Sequence, residues 1–215
     1  MFTGIIQEIG RVTGIRNTGG GVQLTVDAPG SAPSLTVGDS VALNGVCQTV
    51  VAKQGTAFVV EAVEETLRKT TLGALRPSRR VNIELPLRLS DRLGGHLLLG
   101  HVDCTGTVAR ITRQASSWLI TIAFPQEFAR WLIPVGSIAI DGISLTVASL
   151  QSGEFTVSII PHTLEKTTLP ALEAGETVNL EFDLIGKYVE SLLSQKGLPD
   201  GSLTWDRLRE WGYKA

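Results

Sequence analysis

Apolar residues recur at every second position through most of this chain. VQLTVDA (Val22–Ala28), SVALNG (Ser40–Gly45), VCQTVVA (Val46–Ala52) and FVVEAV (Phe58–Val63) alternate in this way, and WLITIAF, SIAIDG, SLTVAS and FTVSII repeat the habit between Trp118 and Ile160. A period of two written in Val, Ile and Thr predicts strands. Asn44-Gly45 and Asp141-Gly142 are the residue pairs that tight hairpin turns favour. Helical spacing is confined to short pieces, EETLRKT, HTLEKT and PQEFARWL, until the chain nears its end. There Ile185, Val189 and Leu192, with Leu184, Tyr188 and Leu193, predict a C-terminal helix whose stripe could pack on a domain or bundle with its counterparts in an oligomer. The last stretch, SLTWDRLREWGYKA, reads as a short capped helix with Trp205, Leu208 and Trp211 on one side.

The pattern occurs twice. Thr66–Glu84 and Thr163–Glu181 are identical at eleven of nineteen positions at a constant offset of 97. Upstream, Val37–Val51 aligns with Val135–Ala148 if one residue is skipped, setting Asn44 against Asp141, Cys47 against Ser144 and Thr49 against Thr146. Farther back, Gly4–Ile15 aligns with Gly100–Ile111 at an offset of 96. A repeat of that length is a domain rather than a solenoid unit. The division expected is 1–97 for the first copy with its connector, 98–183 for the second, and 184–215 for the C-terminal helix and tail. About six short strands in ~90 residues point to a small closed barrel, which leaves no sheet edge open. The fold class is all-β: two tandem barrels from an internal duplication, plus a C-terminal α-helix.

Composition narrows the function classes. With 43% hydrophobic residues the chain can build cores without staples, and a net charge of −2 with no Lys/Arg tract argues against a nucleic-acid partner. Cys47 and Cys104 form no CxxC pair, which fits a reducing compartment. The N-terminus lacks the basic and apolar regions of a secretory signal, and no apolar run approaches the ~20 residues that span a membrane. The expectation is a cytoplasmic protein without a membrane partner.

GGHLLLGHVDC (Gly94–Cys104) gathers two of three histidines, an aspartate and a cysteine. In an extended segment His96 and His101, five apart, would face opposite sides, and a zinc pair needs both imidazoles to converge. The expectation is therefore no metal site. His101 stands where the first copy has Ile5, so it is either a satisfied polar residue or an acid/base group at a pocket mouth.

Six fragments in one order now carry a resemblance: MFTGIIQ, LNGVCQTV, ETLRKTTLG, GGHLLLGHVD, IDGISLTV and IPHTLEKTTL. Over roughly Met1–Leu193 the chain resembles the riboflavin synthases of the two-barrel type. The resemblance implies two six-stranded Greek-key barrels, each binding one 6,7-dimethyl-8-ribityllumazine. It also implies a homotrimer joined through C-terminal helices, with the active site between the barrels of adjacent subunits. Two lumazines would stack there and exchange a four-carbon unit, giving riboflavin and 5-amino-6-(D-ribitylamino)uracil, with no added cofactor or metal. Some relatives associate with a lumazine synthase capsid.

By position, the resemblance assigns the first lumazine to Thr3, Gly4, Ile5 and Ile6, to Cys47, Gln48 and Thr49, and to Glu61, Ala62, Val63, Glu64, Glu65 and Thr66. It assigns the second to Gly100, His101 and Val102, to Ser144, Leu145 and Thr146, and to Ser158, Ile159, Ile160, Pro161, His162 and Thr163. Phe2, Ser40, Cys47, His101, Asp141 and Ser144 match positions tied to catalysis. Those enzymes commonly carry a Lys where this chain has Val135, reaching a ligand of the adjoining subunit, and Arg130 is the substitute expected here. A non-catalytic lumazine-binding photoprotein shares the architecture and is the alternative; it would keep one working pocket rather than two.

Overall fold

The computed structural model describes residues 1–195 and, beyond them, only Arg209; of Leu193–Gln195 it gives the helical backbone. Each copy folds as a closed barrel of six antiparallel strands. In the first, β1 (Glu8–Asn17), β2 (Gly21–Asp27), β3 (Ser40–Leu43), β4 (Val46–Gln54), β5 (Ala57–Val63) and β6 (Arg80–Glu84) close in the order β1-β2-β5-β4-β3-β6. In the second, β7 (Cys104–Arg113), β8 (Trp118–Ala123), β9 (Ser137–Ile140), β10 (Ile143–Gln151), β11 (Glu154–Ile159) and β12 (Thr177–Phe182) close in the same Greek-key order. One-turn helices α1 (Glu64–Lys69) and α2 (Pro161–Lys166) follow β5 and β11, and α3 (Leu184–Gln195) follows the second barrel. PQEFARWL forms a 3-10 turn, Gln126–Trp131, rather than α-helix.

Alternation sorts the side chains. Val12, Leu24, Val26, Val41, Val50, Phe58 and Val60 fill the first barrel; Val108, Ile120, Ile122, Ile138, Val147, Phe155 and Val157 fill the second. Each barrel bends at two bulges, after Val12 and Val50 in one and after Val108 and Val147 in the other. Asn44 and Gly45 (φ +46° and +76°) and Asp141 and Gly142 (+45° and +78°) make the β3–β4 and β9–β10 turns, as their residue types predict.

The structure corrects the alignment that skipped a residue. Gly38 N–H donates to Val50 O and Val135 N–H donates to Val147 O, so the offset of 97 runs unbroken and Val135 is the counterpart of Gly38. Both are left-handed, φ +98° and +62°. The matching Val-Gly pairs of the sequence are out of step by one, and the second copy holds a β-branched residue where the first uses glycine.

The barrels meet across a pseudo-two-fold axis on which equivalent residues face one another. Gly45 abuts Gly142 so closely that a Cβ on either would lie 2.6 Å from the other's nitrogen. Around them Asn82 Nδ2 donates to Asp141 O (3.0 Å) and Asn179 Nδ2 to Asn44 O (2.8 Å). Asn44 Oδ1 accepts from Asn82 N–H, and Asp141 Oδ1 from Asn179 N–H. The VN dipeptide shared by the two copies is thus the seam. On α3, Lys187 pairs with Asp103 at 2.5 Å, while Ile185, Tyr188, Val189 and Leu192 are exposed. The expected stripe exists and is uncovered in the single chain. The Trp205, Leu208 and Trp211 helix lies outside the described residues.

Candidate active site

The segments leading into the barrels, residues 1–7 and 96–103, are not strands; one antiparallel bridge, Phe2 with Leu98, ties them together. Each lies on the opposite barrel. Gly4 O accepts from Ser144 N–H on β10 and Gly100 O accepts from Cys47 N–H on β4, both at 2.8 Å. Ile6 packs against the second core and Val102 against the first. Gly4 and Gly100 are required twice over: φ is +78° and +77°, and a Cβ would stand 2.6 Å from Ser144 Cβ or Cys47 Cβ. Phe2 is buried between the barrels with Ala42, Leu98 and Ala139, against Cys47.

The lead-in of each copy thus meets the other copy's barrel, and two candidate sites follow from these contacts. The first site comprises Cys47 and Thr49 on β4, Ser40 opposite Thr49 on β3, Glu61–Val63 and the start of α1, completed by Gly100, His101 and Val102. The second comprises Ser144 and Thr146 on β10, Ser158–Ile160 and the start of α2, completed by Gly4, Ile5 and Ile6. Linear order had grouped each lead-in with its own copy. No periodic signal in an irregular segment says which barrel it lies on.

Side-chain placement separates the residues further. Thr49, Glu61, Val63, Glu64, Glu65, His101, Thr146, Ser158, Ile160, Pro161 and His162 are exposed, and Thr66, Ser144, Leu145 and Thr163 half-buried. Ala62 and Ile159 point into the cores and offer the sites only backbone. Gln48 is buried; its Nε2 donates to Cys47 O at 2.7 Å and its Oε1 has no partner among the described residues. Asp141 belongs to the seam, where burial pushes its carboxyl up to about 7. Arg130 does not stand free to replace a missing lysine: it lies 5.0 Å over the Trp131 ring and 3.8 Å from Glu190 on α3.

His96 is the residue that sequence reasoning set aside. Its Nδ1 is 2.7 Å from Ser144 Oγ, and its N–H donates to Thr3 O. Burial holds the imidazole below its ordinary range, against the pull of Asp183, so it stays neutral near pH 7. Its Nε2 is buried with no partner among the described residues. A neutral imidazole that carries its proton on Nε2 accepts the serine proton at Nδ1, and can so take a proton from a ligand through that oxygen. Gly95, which leaves no room for a Cβ against Thr3 O and Ser144, was the local signal. Among the described residues no three His, Cys, Asp or Glu side chains gather as a metal site, and no helix is long and apolar enough to cross a membrane.

A cleft of about 1220 Å³ runs along the seam between Thr70–Arg80 and Leu164–Thr177, but Cys47, Ser144 and His101 do not line it.

The lumazine binding domain model matches residues 3–86 and 99–183. The riboflavin synthase of Actinobacillus pleuropneumoniae is 40% identical over 99% of this chain and all of its own. That of Mycobacterium bovis is 43% identical over 92% of this chain and all of its own. A crystal structure of LumP complexed with riboflavin superposes with a TM-score of 0.79 at 24% identity, covering 85% of this chain and 99% of that one. LumP complexed with 6,7-dimethyl-8-(1'-D-ribityl) lumazine gives 0.77 at 23% over the same shares. Two lumazine binding domains folded as paired barrels, and relatives of this identity along the whole chain, place the protein in the riboflavin synthase family, enzymes of riboflavin biosynthesis.

Proposed function

We propose that the chain converts two molecules of 6,7-dimethyl-8-ribityllumazine into riboflavin and 5-amino-6-(D-ribitylamino)uracil. The observation that carries this reading is the pairing of two like sites with unlike chemistry. One presents Cys47 and His101, the other Ser144 with His96. A dismutation needs that division, with one ring giving four carbons and the other receiving them. The products together contain the atoms of two lumazines, so no oxidant, reductant or cofactor is consumed.

The methyl group at C7 of a lumazine is acidic because the ring delocalises its carbanion. At the second site Ser144 and neutral His96 take that proton. At the first, Cys47 assists addition at the acceptor ring and His101 moves protons at the open edge. Backbone N–H groups and threonine hydroxyls aimed at ring oxygens hold the developing charge. Most of the acceleration comes from holding two rings face to face, an advantage that reaches ~7–11 kcal/mol in well-oriented systems.

At the candidate sites Thr49, His101 and Thr146 are exposed, and α3 exposes Ile185, Tyr188, Val189 and Leu192. These features support a homotrimer in which the first barrel of one subunit covers the second barrel of the next. Val135, 79% exposed, stands where the resemblance expects a lysine. Titration with riboflavin, followed by fluorescence quenching, tests the site count. Two ligands bound per chain are expected; one per chain would favour the non-catalytic binding protein.

A further inference from the structure

Two acids outside the expected sites hold the exchanged segments. Glu84, on β6, accepts from Thr3 N–H at 2.6 Å and Thr3 Oγ1 at 2.8 Å with one oxygen, and from Gly4 N–H at 2.9 Å with the other. Glu181, on β12, accepts from Leu99 N–H at 2.7 Å and Gly100 N–H at 3.0 Å. They are 3% and 4% exposed and lie 97 residues apart, the last glutamates of matching strands. Among the described residues no carboxylate or cation is bonded to Glu84, and neither acid has a hydrogen bond to Cys47, Ser144 or His96.

What each glutamate holds, it holds against the other barrel. The peptide fixed by Glu181 presents Gly100 O to Cys47 N–H, and the peptide fixed by Glu84 presents Gly4 O to Ser144 N–H. We infer that Glu84 and Glu181 are positioning residues with crossed action: Glu181 sets the Cys47 site of the first barrel, and Glu84 sets the Ser144–His96 site of the second. A carboxylate accepting two consecutive backbone N–H groups fixes the peptide before each glycine, and the left-handed Gly4 or Gly100 then turns the next carbonyl onto the other barrel. The lead-in segments are not strands, and the clamp adds to the backbone bonds of the Phe2–Leu98 bridge a charged restraint from each segment's own barrel. Burial raises both acids, Glu181 up to about 7, which shows that the fold bears a desolvation cost to keep these carboxyls where they are.

The importance of the placement rests on reading Cys47 and Ser144 as site residues, but the geometry can be tested without substrate. Cys47 is its own reporter. The Cys104 thiol is pushed up to about 12 by burial and by Asp103 and Glu127, so it does not compete for alkylation at pH 8. In the full chain, Glu181→Gln is expected to raise the rate of Cys47 alkylation by iodoacetamide about tenfold, since it weakens the charge-assisted bonds that hold the Gly100 segment on Cys47. Glu84→Gln is expected to leave that rate within a factor of two, by about the scatter of distant substitutions, and instead to shift the 15N resonances of the His96 ring. Glu181→Asp, which keeps the charge and withdraws it by one methylene, provides the same test if the Gln variant does not fold. An unchanged Cys47 rate in a folded Glu181 variant overturns the proposal, and so does an equal change in both variants. Since no lumazine is present, failure here is separate from failure of turnover.

Discussion

Ser144 and His96 meet at 2.7 Å although 48 residues separate them, and the reading of the second site depends on that contact. Ser144→Ala should therefore lower kcat by about a hundredfold or more, the usual scale of a lost acid–base group, while ligand affinity changes little. Steady-state kinetics on the purified variant, with a riboflavin titration beside it, would expose an error: kcat within a few-fold of the parent rules out the proton role. Val135 makes a different prediction. It holds φ +62° with its side chain exposed, at the position where the first copy has Gly38. A β-branched residue there costs about 1–2 kcal/mol, partly offset by the entropy that glycine loses on folding. Val135→Gly is expected to stabilise the protein by about 1 kcal/mol in urea unfolding, and a loss of stability would mean that Val135 makes contacts in the assembly.

At the scale of elements, strands and turns were legible because alternation, β-branching and Asn-Gly or Asp-Gly each have a local physical cause. The barrels followed from the repeat. What escaped was whatever depends on contacts distant in sequence. The lead-in segments carry no period, so nothing local assigned Gly4 to Ser144 or Gly100 to Cys47. Glu84 and Glu181 could have been suspected as charges at buried strand positions, but their partners could not. Asp141 was read through its family position; the structure sets it in the seam, where Asn44 is its counterpart. Asp141→Asn keeps the acceptor for Asn179 N–H and removes a carboxyl whose pKa rises from 3.8 to about 7 on folding. A group raised in the folded state favours folding below its unfolded pKa and loses that contribution as pH rises through its folded one. The variant should thus gain stability over the parent at pH 8, on the order of a few kcal/mol, and show little difference near pH 4. Chemical denaturation at both pH values checks this; equal effects at both would show that the seam does not feel the charge.

Over the whole molecule the same sign recurs. Asp141 and Glu181 both move up to about 7, and Glu84 moves up as well. Protons are bound more tightly in the folded chain from about pH 4 to 7, so unfolding free energy should fall as pH rises across that window and level off above it. His96, whose pKa burial lowers, acts the other way below its ordinary range. Activity should run opposite to stability, because ionised Glu181 and neutral His96 are the forms that set the two sites. The exposed face of α3 carries the assembly prediction. Tyr188→Glu, or Leu192→Glu, should shift sedimentation from trimer toward monomer and reduce turnover with it, whereas an unchanged trimer would move the interface elsewhere. The central claim is that two unlike sites convert two identical molecules. It is tested most directly by incubating the protein with 6,7-dimethyl-8-ribityllumazine alone, without metal or nucleotide, and quantifying the products by HPLC. One riboflavin and one ribitylamino-pyrimidine for every two lumazines consumed is the predicted result; lumazine bound but recovered unchanged would contradict it.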